Sequence, residues 1–183
     1  MFDLFKSRAE AVSAEVHRFA TTGDALAFVL DLARREGVAD APGAWAVWAP
    51  GPLASAFDRA AVAGRLPGLR FDVTRDLAAG ARVGISEMRW GLADTGTVAQ
   101  DASAVEERLV STLPPLHVAW LPTGALLPDL PALLERIDPA HMAYVTLITG
   151  PSRTADIERV LTIGVHGPER LVIVCVDDLG EAA

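Results

Sequence analysis

The sequence predicts an α/β domain with a mostly parallel sheet flanked by helices. Segments with helical periodicity alternate with short extended segments along the chain, as in repeated strand and helix units. Two runs, 141–149 and 170–176, are almost continuously apolar, which is typical of parallel strands buried on both faces. With 183 residues, 51% of them hydrophobic, the chain can bury one sizeable core, so we predict a single domain over 1–183.

The N-terminal segment is predicted to form a helix because its apolar residues recur at alternating steps of three and four: Phe2, Phe5, Ala9, Val12 and Val16. We expect residues 1–13 to be a peripheral helix that docks on the core or on a second copy of the chain in a homodimer. Periodicity and capping residues predict further helices at 24–37, 53–64 and 128–137.

Branched and apolar residues over short lengths predict the strands, which fall at 44–49, 69–73, 82–86, 97–100, 116–122, 141–149 and 170–176. Residues 86–96 are interpreted as a short helix or turn with Ser86 as its cap. The strands at 97–100 and 116–122 follow each other closely and could add an antiparallel edge to the sheet.

Composition restricts the partners. A net charge of −8 argues against nucleic acid, which attracts a positive surface. No basic leader precedes an apolar run, and no segment approaches the roughly 20 apolar residues that cross a bilayer, so we expect no membrane span and a cytoplasmic location. Cys175 is the one cysteine, so the chain has no iron-sulfur cluster of its own. The cofactor is left unidentified, and no metal-ligand spacing is present; His17, His117 and His141 are assigned to structure.

A candidate anion site lies at 150–154, between an apolar strand and a predicted helix carrying Ile157, Val160 and Leu161. Free amides at a helix N-terminus, together with Arg153, suit a phosphate or carboxylate. Asp156 and Glu158 would already interact with the positive end of the helix dipole and would repel a second anion. Ser152 and Thr154 could serve as caps. Ligand contact and structural capping therefore both stay open.

Two further loops are candidates for the same site. Gly96 lies between Thr95 and Thr97, where it permits close approach of a backbone, and Asp94 adds a carboxylate. His166, which precedes Gly167, could act as an acid or base, a hydrogen-bond donor or a metal ligand. A simple turn entering a strand, and a loop histidine bonded to nearby backbone, would explain the same residues.

Taken together, the segments ADTGTV (93–98), GPSRTADIE (150–158) and GVHGP (164–168) resemble the LUD domain family and, within it, its lactate-utilisation C group. The resemblance covers most of the chain and is strongest over 83–174. Asp94 stands where this family more often has Glu. The resemblance implies a fold like the NagB/RpiA/CoA-transferase group and a role in oxidising L-lactate to pyruvate with iron-sulfur or redox partner proteins.

The leading hypothesis is therefore a non-autonomous subunit of a lactate-oxidising system that binds a small anionic ligand or part of a cofactor. Its predicted ligand-binding residues are Thr95, Gly96, Thr97, Gly150, Ser152, Arg153, Thr154, Asp156, His166 and Gly167, with His166 or Asp94 as the candidates for handling protons. Two alternatives are a stand-alone enzyme acting on a sugar phosphate or acyl substrate, and a non-catalytic assembly module that docks partners through its N-terminal helix.

Overall fold

The computed structural model describes residues 1–155, 161–163 and 167–179. Within them, six parallel strands form one sheet, which confirms the predicted α/β class. In spatial order these strands are β1 (Glu15–Phe19), β12 (Arg170–Val176), β7 (Leu116–Pro122), β4 (Ala81–Glu87), β2 (Trp45–Trp48) and β3 (Leu69–Arg70). The inner strands β12 and β7 are buried on both faces, as their apolar runs require.

One face of this sheet is covered by helices α2 (Thr22–Arg35), α3 (Pro52–Ala56) and α4 (Arg59–Arg65). The core on this side contains Trp48 and Trp120, whose rings stack with centroids 5.6 Å apart. The predicted single helix at 53–64 is wrong, because α3 ends at Ala56 and the backbone of Phe57 is extended. Asp58 then caps α4 by accepting a hydrogen bond from the Ala61 amide at 3.1 Å, a role that favours a new helix start.

The opposite face carries helices and a second, smaller sheet. The helices there are α1 (Phe2–Ala11), α5 (Arg75–Ala79) and α6 (Val105–Thr112). The smaller sheet has the strand order β8 (Leu126–Leu127), β5 (Trp90–Leu92), β6 (Thr97–Asp101) and β9 (Val145–Ile148), with a 3₁₀ turn at Thr123–Ala125 before it and α7 (Leu130–Leu134) packed on it. Phe5 and Ala9 of α1 are fully buried between the two sheets.

Several predicted elements are wrong. Val16 lies in β1, since α1 ends at Ala11. Residues 90–92 form a strand in place of the predicted helix or turn. The strand at 116–122 is central and parallel, whereas 97–100 belongs to the antiparallel part of the smaller sheet. Strand β9 is only half buried, because it packs in that smaller sheet.

The helix predicted after residue 154 is also wrong where the structure describes this region. Arg153–Ala155 forms β10, which pairs antiparallel with β11 (Leu161–Ile163). Thr154, Thr162 and Ile163 are β-branched and favour extended backbone. In the described ranges, no helix has both the length and the apolarity that crossing a membrane requires.

Candidate functional site

A cavity of about 720 Å³ opens at the carboxyl edge of the parallel sheet, between β2 and β4. From β2 the chain proceeds to β3 on one side, whereas from β4 it proceeds to β7 on the other. The loops that follow β2 and β4 therefore diverge, and this reversal of strand order leaves the crevice where open α/β sheets bind ligands. We call it the switch-point cavity.

The walls of the switch-point cavity are mainly apolar and come from the ends of four strands. The apolar lining residues are Pro50, Pro52, Leu53, Ala56, Met88, Trp120, Pro122 and Leu179. The Trp120 ring is fully buried, and its Nε1 has no hydrogen-bond partner in the described part of the chain. A buried indole N–H usually finds a partner, so this wall residue carries an unmet donor.

Glu87, the last residue of β4, is hydrogen-bonded to the N-terminus of α3. Its two carboxylate oxygens accept hydrogen bonds from the Leu53 amide at 2.9 Å and the Ala54 amide at 2.8 Å. Burial raises the pKa of this carboxyl group, while the two amides oppose that shift. The anchored group keeps lone pairs that can accept further hydrogen bonds from a molecule in the cavity.

Glu107 of α6 supplies a second carboxyl group to the same cavity. Burial, aided by the charges of Glu87 and Asp101, raises the pKa of Glu107 to about 8, so this group is mostly protonated at neutral pH. Its Oε2 atom is buried without a hydrogen-bond partner among the described residues. Asp101 also lines the cavity, and its Oδ1 accepts a hydrogen bond from the Ser103 amide at 3.0 Å. The site thus joins an anchored carboxyl group to a neutral one.

The structure brings several predicted site residues together in the loops near α1. The hydroxyl oxygens of Thr95 and Thr97 are 2.7 Å apart, and that of Thr97 is 2.8 Å from Thr149 Oγ1. Gly96 and Gly150 both have positive φ, at 68° and 71°. These residues form a polar chain that crosses from the β5–β6 turn to the end of β9.

The two glycines allow the backbone of α1 to approach. A Cβ on Gly96 would lie 2.1 Å from the Ala9 nitrogen, and one on Gly150 would lie 2.3 Å from the Val12 oxygen. Arg153 donates through Nη2 to the Val12 oxygen, at 2.7 Å. A cation that bonds the last carbonyls of a helix is favourable because it meets the negative end of the helix dipole. These loops therefore hold the C-terminal end of α1.

A second cavity, of about 250 Å³, lies beside these loops and is called the loop cavity. Its lining includes the predicted residues Gly150, Ser152 and Gly167. The ring of His117 also lines it: Nε2 is 2.8 Å from Ser86 Oγ, and Nδ1 has no partner in the described ranges. Full burial lowers the pKa of His117 to about 4, so the ring is neutral near pH 7.

The remaining predicted residues are divided. Asp94 is exposed on the turn before Gly96, and Thr154 lies in β10. Asp156 and His166 lie outside the described residues. In the part of the chain that is described, no group of three or more His, Cys, Asp or Glu side chains is placed to hold a metal ion.

Sequence reasoning missed Glu87 and Glu107. A signal for Glu87 was available, because it directly follows the apolar strand at 82–86, and the Pro-Gly-Pro run at 50–52 follows the strand at 44–49. Polar groups and tight turns at the carboxyl ends of neighbouring parallel strands mark a site, but only once the strand order is known. Glu107 had no such signal, since it comes from a helix that was not predicted.

The fold and the switch-point cavity define an α/β protein with a crevice at the carboxyl edge of a parallel sheet. The chain belongs to the LUD domain family, whose model, described as "LUD domain", matches residues 2–176. The fold is also similar to the crystal structure of a DUF162 family protein from Deinococcus radiodurans, with a TM-score of 0.63 and 16% identity, covering 96% of this chain and 95% of that one.

The chain spans about half the length of the curated relatives that it matches. Lactate utilization protein C from Exiguobacterium sp. is 36% identical over 114 residues, which are 59% of this chain and 50% of that protein. Lactate utilization protein C from Macrococcus caseolyticus is 37% identical over 105 residues, 54% of this chain and 45% of that protein. Uncharacterized protein YkgG from Escherichia coli K12 is 33% identical over 104 residues, with the same two shares of 54% and 45%.

Proposed function

We propose that the chain is a cytoplasmic component of an L-lactate utilisation system, which oxidises L-lactate to pyruvate. Membership of the LUD domain family and the similarity to several proteins named Lactate utilization protein C support this role. That similarity is the observation that carries the proposal.

The proposed system also needs redox partner proteins. Cys175 is the one cysteine of this chain, and it is fully buried in β12. Burial raises the pKa of its thiol to about 12, so a thiolate is disfavoured at neutral pH. Iron-sulfur clusters are held by several cysteine thiolates. We therefore assign the clusters to partner proteins and a ligand-binding role to this chain.

The small anionic ligand is proposed to bind in the loop cavity. None of the described residues that line this cavity is Asp or Glu, whereas three carboxyl side chains line the switch-point cavity beside one cation, Arg89. Thr149 and Ser152 place hydroxyl-bearing side chains in the loop-cavity lining, and Arg153 follows Ser152 in the chain. An anion is less repelled there and can accept hydrogen bonds from these groups. Asp94 and His166 are kept as proposed proton-handling residues.

Arg153→Ala tests the anion site. We expect slower growth on L-lactate and weaker binding of L-lactate or pyruvate in calorimetry, because the guanidinium proposed to hold the anion is removed. Arg34→Ala is the matched control, since Arg34 is also an exposed arginine whose Nη2 donates to a backbone oxygen, that of Arg65, at 2.7 Å. Unchanged growth and binding in Arg153→Ala would remove the anion contact.

A second experiment tests the non-autonomous role. The purified chain, given L-lactate and an artificial electron acceptor, is expected to show no pyruvate formation until iron-sulfur partners are added. Turnover by the chain alone would contradict the subunit proposal.

A stand-alone enzyme is the second candidate, and the pairing of Glu87 with Glu107 is the observation that favours it. Two carboxyl groups held in different environments can act as base and acid in one reaction. Arg89 lines the cavity beside the three carboxyl side chains, so both an acyl substrate and a sugar phosphate are candidates. A thermal-shift screen of acyl esters and sugar phosphates separates these substrates.

A further inference from the structure

Two residues that line the switch-point cavity each have a buried polar atom without a hydrogen-bond partner among the described residues. Glu107 Oε2 and Trp120 Nε1 are both buried without partners among the described residues, although buried polar atoms are normally hydrogen-bonded. Both atoms belong to residues that line the cavity, and because both atoms are themselves buried, a ligand reaches them after a small shift of these side chains. The unmet groups therefore point to a bound ligand that has polar atoms at more than one position.

The cavity volume and its lining restrict the size and shape of that ligand. At about 720 Å³ it falls in the range that holds drug-sized ligands and cofactors, well above the need of a three-carbon acid. Three prolines and the side chains of Leu53, Met88 and Leu179 form apolar surface that suits a flat ring system. The ligand is therefore expected to have an apolar body.

The carboxyl groups restrict the ligand's polar groups. Carboxyl oxygens accept hydrogen bonds, so Glu87 and Asp101 favour a ligand that offers O–H or N–H donors, while Arg89 adds a cation to the same lining. Glu107, being mostly protonated, can both donate and accept. Adjacent hydroxyl groups of a sugar satisfy such neighbouring carboxyl groups, as in the recognition of ribose by an acidic residue in other α/β sheets.

We propose that the switch-point cavity binds a nucleoside-like ligand, with its ring system on the apolar wall and its sugar hydroxyls donating to Glu87 and Glu107. The position at the reversal of strand order, the volume, the anchored Glu87 and the unmet Trp120 donor all support this assignment. It concerns a different cavity from the proposed anion site, so either proposal can fail while the other stands.

The test is isothermal calorimetry of the purified chain at pH 7 with adenosine, uridine and riboflavin as separate probes. At least one of these is expected to bind, and the matching ligand without the vicinal hydroxyls, such as 2′,3′-dideoxyadenosine for adenosine, is expected to bind about tenfold more weakly. Glu87→Gln should weaken the hydroxyl-bearing probe by about tenfold as well. Ala56→Phe, which fills the cavity from an exposed wall position, should abolish binding.

Glu106→Gln is the matched control, because it removes a carboxylate from the neighbouring position of α6 that does not line the cavity. It should bind the probe like the unmodified chain. Spermidine, a cation that carboxyl groups would attract, is measured as a comparison ligand. The proposal is overturned if none of the three probes binds, if spermidine binds in their place, or if removal of the vicinal hydroxyls leaves the affinity unchanged. Far-UV circular dichroism of each variant verifies that it is folded.

Discussion

Glu87 and Gly51 occupy one small space: Glu87 Oε1 lies 2.6 Å from the point where a Cβ on residue 51 would be. The backbone at Gly51 is extended, with φ at −176°, so an alanine there meets no conformational strain of its own. A side chain at this position must therefore displace the carboxyl group that accepts the two amides of α3.

Gly51→Ala is expected to lower the free energy of unfolding by about 1–3 kcal/mol, because the Leu53 and Ala54 amides lose their acceptor. It should also weaken the binding of any ligand in the switch-point cavity. Urea denaturation measures the first effect. Gly64→Ala, where an added Cβ meets no atom within 4 Å, should show no loss; an equal loss in both variants would contradict the expectation.

The stability of the protein should depend on pH through Glu107. Its carboxyl group loses its proton near pH 4.5 when unfolded but only near pH 8 when folded, because of burial. The folded state therefore holds the extra proton between these values, and stability falls as pH rises from about 4.5 to about 8. Glu107→Gln removes this penalty.

The stabilisation of Glu107→Gln over the unmodified chain should grow from near zero at pH 5 to the order of a few kcal/mol at pH 8. Urea midpoints at four pH values between 5 and 8 measure it. The same series on Glu106→Gln should show a much smaller change with pH, because the charge of Glu106 is the smallest of the causes that raise the Glu107 pKa. A constant difference for Glu107→Gln would show that this group is ionised in the folded protein.

The approach of α1 should depend on Gly96. Gly96→Ala places a methyl group against the Ala9 backbone and also requires an L-residue at a φ of 68°. Gly43→Ala is a matched control, since Gly43 has a φ of 79° but open space around it. We expect Gly96→Ala to cost about 1–3 kcal/mol more than Gly43→Ala and to speed amide exchange in α1. Equal costs would mean that α1 does not need this contact.

The hydrogen bond between Ser86 and His117 should stabilise the centre of the sheet. Both side chains are fully buried, and His117 Nδ1 already lacks a partner in the described ranges. Ser86→Ala leaves Nε2 unpaired as well, so we expect a loss of about 1–3 kcal/mol in urea denaturation. Ser55→Ala, at an exposed hydroxyl bonded to Arg59, should change stability by less than about 0.5 kcal/mol. Similar losses would refute a specific role for the pair.

The fold was predictable where one principle dominates the local structure. Continuous apolar runs predicted β7 and β12, and capping residues with a Gly37 stop predicted α2. The short helices α5 and α6 and the strand β5 were missed because their form depends on tertiary packing, as Trp90 shows by packing against α7.

The candidate site was only partly predictable for a related reason. Thr95, Gly96, Thr97, Gly150 and Arg153 lie near one another, but their described contacts are with one another, with Thr149, and with α1 and the two residues after it, so their predicted ligand role stays a prediction. Sequence chemistry identified loops that need close approach, but it could not show which backbone approaches. The position of the switch-point cavity depends on the order of the strands in the sheet, and no local sequence pattern gives that order.

Growth of a strain that lacks the gene for this chain tests the proposed function most directly. On L-lactate as the carbon source, growth is expected to be lost and to return when the gene is restored, while growth on pyruvate is unchanged, because only the oxidation step is removed. Normal growth on L-lactate, or an equal defect on pyruvate, would contradict a role in converting L-lactate to pyruvate.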